Sequence, residues 1–133
     1  MILVDTSILI GYFKGIGGSP YDKLDEIIDN QIVFGINNHI YQEVLQGAKT
    51  EAEFNQLKAY LNIIPFYDLY NGRKSYENAA LMYMKCRKSG ITIRSTVDLI
   101  IAQTAIENNL YLLHNDNDYI NIATVVTELK LYE

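Results

Sequence analysis

A single cysteine in 133 residues rules out an internal disulfide and suits a reducing compartment. Cys86 lies in a helical stretch and reads as a small apolar filler rather than a nucleophile. No apolar run approaches the roughly 18–20 residues that a membrane span needs. The N-terminus has no basic stretch ahead of its short apolar run, which argues against a secretory signal and for a cytoplasmic protein. Positive charge is scarce too. Eleven Lys and Arg against 16 Asp and Glu leave a net charge of −5, which taken alone argues against a general nucleic-acid binder. There are no repeats, low-complexity tracts or linkers, so residues 1–133 are expected to form one domain with a real core.

What is present is an alternation of strand and helix signals. Residues 2–5 read as a buried strand, and Ser7 to Lys14 as a short helix before the breaker at 15–18. Ser19-Pro20 has the form of a helix start, with Ser as cap, Pro at the first helical position and Asp22 three after the cap. That helix is expected to run to about Asp29. Residues 31–36 read as a second strand. Asn37-Asn38 should cap a helix through about Ala48, and Thr50 with Glu53 should open another. Residues 62–66 read as a third strand, and a long helical stretch runs from about Asn71 to Ser89. Ser95 or Thr96 caps the next helix, residues 110–114 form a fourth strand, and the tail offers a last one around 129–132. The pattern predicts an α/β fold: three layers, α/β/α, around a mainly parallel sheet of four to five strands.

Acidic residues recur where such a sheet exposes its functional edge. Asp5 closes the first strand, inside Met1-Ile-Leu-Val-Asp5-Thr6-Ser7. It fits a helix N-cap as well, although Thr6 or Ser7 serves that purpose equally. Glu43 lies one turn into the helix after the second strand, where a solvated Glu also suits the helix dipole. Asp98 begins a strongly apolar helix, and Ser95 with Asp98 also has capping-box spacing. Asp116 and Asp118 follow the fourth strand in His114-Asn-Asp116-Asn-Asp118-Tyr119, a sequence that equally suits an Asx turn.

In a parallel α/β sheet all these positions face one edge, the carboxyl ends of the strands. Carboxylates gathered there repel one another unless a cation joins them. An all-oxygen set suits Mg²⁺ or Mn²⁺. Zinc is disfavoured because His39 and His114 lack partners at metal-site spacing, and an EF-hand is excluded because its glycine and distal Glu are missing. Such a site fits phosphodiester hydrolysis. The basic residues are clustered: Arg73, Lys74, Lys85, Arg87, Lys88 and Arg94 occupy one sixth of the chain with Glu77 as the only acid. They read either as a solvated helix face or as a grip on a phosphate backbone.

The four acidic segments together resemble the PIN-domain ribonucleases, especially the VapC-type toxins of toxin–antitoxin pairs. Ile2-Leu-Val-Asp5-Thr6-Ser7 is similar to the first family motif and Gln42-Glu43-Val-Leu-Gln-Gly47-Ala48 to the second. Asp98-Leu-Ile-Ile-Ala102-Gln-Thr-Ala105 is similar to the third, and Leu112-Leu-His-Asn-Asp116-Asn-Asp118-Tyr119 to the fourth. His114 stands where many members have Thr. The resemblance implies an Mg²⁺- or Mn²⁺-dependent endoribonuclease with Asp5, Glu43, Asp98 and Asp116 as its acidic quartet. Asp5, Asp98 and Asp116 would contact metal directly or through water, and Glu43 would bind a second ion or orient water. Ser7 would polarise the site from close by, and Asp118 would be an auxiliary acid or a turn residue. Arg73, Lys74, Arg87, Lys88 and Arg94 are candidates for substrate contact.

The resemblance further implies a homodimer and a small antitoxin whose basic side chain competes with the metal; the apolar, Tyr-rich stretch of residues 63–83 reads either as part of such an interface or as core and ordinary surface. Two other functions stand beside this one. The first is an RNA-maturation or decay nuclease without an antitoxin. The second is a non-catalytic RNA- or protein-binding module of the same fold, for which loss of the acids would be the expected signature.

Overall fold

A computed structural model describes all 133 residues. The elements in chain order are β1 (Ile2–Val4), α1 (Thr6–Phe13), α2 (Tyr21–Asp29), β2 (Phe34–Gly35), α3 (Asn38–Gln46), α4 (Glu51–Leu61), α5 (Arg73–Lys88), α6 (Thr96–Glu107), β3 (Tyr111–Leu113), α7 (Asn117–Val125) and β4 (Lys130–Leu131). The sheet order is β2-β1-β3-β4, and every pair is parallel. Ile2 pairs with Phe34 on one side and Tyr111 on the other, so β1 is central. All three of its residues are buried, as a strand covered on both faces requires.

The helices fall into two groups by contact. α1 packs on α2 and α3, and α3 on α4, while α5, α6 and α7 pack on one another. These are the two outer layers of the expected α/β/α fold. A continuous cluster of 26 buried apolar residues joins them through the sheet. α6 is buried on nearly every side between Leu99 and Ala105, matching its apolar sequence.

Chain order in the sheet sets the site. The chain leaves β1 for β2 on one side, then returns across to β3 on the other. The crevice at such a reversal, beyond the carboxyl ends of the strands, is where open α/β sheets bind ligands. Here it lies between β1 and β3, where Asp5 N–H donates to the Leu113 carbonyl at 2.9 Å.

Several local expectations are corrected. Residues 62–66 do not form a full strand: the segment touches the sheet through one bridge, Ile36 with Phe66. Pro65 has no N–H to donate, so pairing reduces to Ile36 N–H to the Pro65 carbonyl and Tyr67 N–H to the Ile36 carbonyl. The helix at Ser19-Pro20 begins at Tyr21, and no side chain caps it through its N-cap residue. Asp22 reaches back instead to accept from Gly18 N–H at 3.2 Å. The caps at Asn37 and Thr50 form as expected, with Asn37 accepting from Ile40 N–H at 2.9 Å and Thr50 from Glu53 N–H at 3.1 Å.

Candidate active site

Asp5 occupies the N-cap position of α1, yet its side chain makes no capping bond. The carboxylate turns instead into the crevice. It accepts from Ser7 Oγ at 3.1 Å and from the Tyr119 hydroxyl at 3.3 Å, and it is 7 % exposed. Burial pushes its pKa above the ordinary carboxylate range, opposed by the Ser7 and Thr6 hydrogen bonds. Asp98 behaves alike. Ser95 makes no side-chain cap, so the capping box permitted by the spacing does not form. The Asp98 carboxylate accepts from the Tyr119 hydroxyl at 3.3 Å. Burial first, then the charges of Asp116 and Asp5, push it up to about 6.

Asp116 plays both roles suggested by its sequence. It caps α7 by accepting from Asp118 N–H at 2.9 Å, and it still faces the other acids. Carboxylate oxygens of Asp98, Asp116 and Asp118 all lie within 4.8 Å of one another. Asp118 therefore belongs with the closest trio rather than at its margin. Glu43 is exposed at the edge of the site, joined to it by the Thr6 hydroxyl at 3.3 Å.

The donor set fits a hard divalent cation. It is all oxygen and it gathers on one edge. Apart from burial and one hydroxyl, what acts on the Asp98 charge is other carboxylates. Asp98, Asp116 and Asp118 are placed to hold such an ion, with Asp5 beside them.

Three residues beyond the sequence-based set shape the site. Thr6 ties Glu43 to the start of α1. Tyr119 is fully buried and reaches both Asp5 and Asp98. His114 accepts from Asp116 N–H through Nδ1 at 3.1 Å, and its ring lies 5.2 Å from that of Tyr119. Burial lowers the His114 pKa, against the raising effect of Asp116 beside it. Tyr119 closes the fourth acidic motif of the sequence, but nothing local to that motif gives its hydroxyl a partner on β1 or α6.

The basic segment is divided by the fold. Arg73 and Lys74 open α5 near the C-terminus of α6, where Ser75 and Tyr70 bind Glu107. Glu107 lies nine residues after Asp98, about 14 Å along the helix. Lys85 and Lys88 line a cleft with Gln103, Val126 and Glu128, toward the far end of α7. Arg94, with Thr96, Tyr76 and Tyr83, borders a cleft of about 530 Å³ beside the N-terminus of α6.

A family profile described as PIN domain matches residues 2–125. The VapC ribonuclease Mb1587 of Mycobacterium bovis is 28% identical over 126 residues, covering 94% of this chain and 93% of the relative. Ribonuclease VapC11 of Mycobacterium tuberculosis matches to the same extent. Among solved structures, that of VapBC2 from Rickettsia felis, bound to a DNA fragment from their promoter, has a TM-score of 0.75 at 20% identity. It covers 99% of this chain and 98% of that one. FitAcB from Neisseria gonorrhoeae has a TM-score of 0.67 at 18% identity, covering 100% and 97%. Strands β1, β2 and β3 and the acids at the switch point all fall within the matched residues, and on that ground the chain belongs to the PIN domain family.

Proposed function

We propose that this protein is an endoribonuclease that uses Mg²⁺ or Mn²⁺ to hydrolyse RNA phosphodiester bonds, as the toxin of a toxin–antitoxin pair. The observation that carries the reading is the meeting of Asp5, Asp98, Asp116 and Asp118 at the β1/β3 crevice, with two of the acids turned away from capping. The curated relatives named VapC ribonucleases support the activity, and the VapBC2 neighbour supports an antitoxin partner. A bound divalent ion supplies an activated water and charge neutralisation at the scissile phosphate.

The chain's own residues supply the rest. Asp98, Asp116 and Asp118 provide the oxygen ligands, and Asp5 adds negative charge behind them. Ser7 holds the Asp5 carboxylate, while Glu43 orients water at the open side. Arg94, four residues before Asp98 and beside the N-terminus of α6, is the basic candidate closest to the acids in sequence; it would hold the substrate backbone. Arg73, Lys74, Arg87 and Lys88, all on α5, would serve only a longer substrate. A homodimer in the cytoplasm, restrained by an antitoxin with a basic side chain in the crevice, completes the reading.

The test incubates purified, antitoxin-free protein with total cellular RNA and Mg²⁺ or Mn²⁺, with EDTA and Asp98→Asn as controls. Discrete fragments lost in both controls are the expected result. Cleavage unaffected by either control would sink the assignment.

A further inference from the structure

We propose that Tyr119 is a positioning residue of the acidic site, its buried hydroxyl holding the Asp5 and Asp98 carboxylates toward one another for a divalent cation. The inference rests on the metal-dependent reading above and assigns a role to a residue outside the acidic set. Asp5 comes from the end of β1, Asp98 from the first turn of α6, and Tyr119 from the first turn of α7. Three separate elements thus meet at one oxygen atom, 3.3 Å from Asp5 Oδ1 and 3.3 Å from Asp98 Oδ1. Both separations are long for an O–H···O bond, as fits a single hydrogen shared between two acceptors.

Tyr119 is fully buried, and its ring packs beside His114, so the hydroxyl has no freedom to swing away. Asp5 has other donors in Ser7 and the Thr6 backbone, but Tyr119 is the only donor to the Asp98 side chain. The same turn carries Asp116 and Asp118, so packing the ring sets their height relative to Asp98. Outer hydrogen bonds of this kind orient metal-binding carboxylates, and their removal costs about 10–100-fold in metal affinity or activity.

Tyr119→Phe separates the hydroxyl from the packing, because the ring fills the same space. In titration calorimetry with Mn²⁺ alone, the variant is expected to bind about 10-fold more weakly than wild type. On an RNA substrate its kcat falls while KM stays within about twofold, since the buried hydroxyl is closed to direct substrate contact. Ile122→Val loosens the same helix without touching a carboxylate and should keep the wild-type Mn²⁺ affinity. Wild-type affinity and kcat in Tyr119→Phe would overturn the positioning role while leaving the metal reading intact. Equal weakening in Ile122→Val would also overturn it, by tracing the effect to packing. Absence of Mn²⁺ binding in the wild type would instead overturn the metal reading itself.

Discussion

Asp5, Asp98 and Asp116 all stand at helix starts, and Asp116 alone uses its side chain as a cap. Without metal, the other two hold charge in a crevice that burial and neighbouring acids make unfavourable. Asp98 has a folded pKa of about 6, above the value of about 4 expected in the unfolded chain. Between those values the folded state binds more protons than the unfolded one, so stability falls as pH rises from about 4 to 6. Asp98→Asn removes the repulsion. In EDTA at pH 7 the variant should melt higher than wild type, by roughly 3 °C, and lose part of the decline between about pH 4 and 6. The raised Asp5 pKa leaves the remainder of the slope. Scanning fluorimetry across that pH series tests this, and a lower melting temperature for the variant would show that repulsion is not the governing effect.

Elements carry the acids into place, and one buried side chain links two of those elements. Asn37 caps α3, which bears Glu43, and its Nδ2 donates to Thr104 Oγ1 on α6 at 3.3 Å. The Thr104 hydroxyl donates in turn to the Ile100 carbonyl at 2.7 Å. Asn37→Ala removes a cap and a buried contact between α3 and α6, so a loss of about 2 kcal/mol is expected in urea unfolding. A loss under about 0.5 kcal/mol would mean that water or a shifted helix replaces both bonds. The cap was legible because Asn before a helical stretch has a local partner three residues on. The bond to Thr104, 67 residues away, has no local signature. The same holds for Glu107, whose carboxylate accepts from Tyr70 N–H and from Ser75 and anchors the start of α5. Asp98 shows the same limit: capping-box spacing and a site role were both open in the sequence, and burial beside Tyr119 decided its partner.

For the molecule as a whole, a cation at the crevice should act as a stabilising ligand, since the unfolded chain does not assemble Asp98 with Asp116 and Asp118. Mn²⁺ at 100 times its dissociation constant is expected to add about 2.7 kcal/mol. The rise in melting temperature should be larger at pH 7 than at pH 5, because Asp98 must lose its proton to bind. EDTA should reverse the rise and Asp98→Asn should abolish it. An equal rise at both pH values would place the ion elsewhere. From its amino-acid order alone, this protein declared the α/β alternation, the buried first strand and the family of its acidic motifs. Those signals are local: apolar runs, caps, and a carboxylate at the end of a strand. The order β2-β1-β3-β4, the standing of Asp118 beside Asp98 and Asp116, the separation of Arg73 and Lys74 from the acids, and the place of Tyr119 were decided only in three dimensions. Each depends on which distant segments share a buried contact, and packing between layers sets that, not the pattern within any one of them.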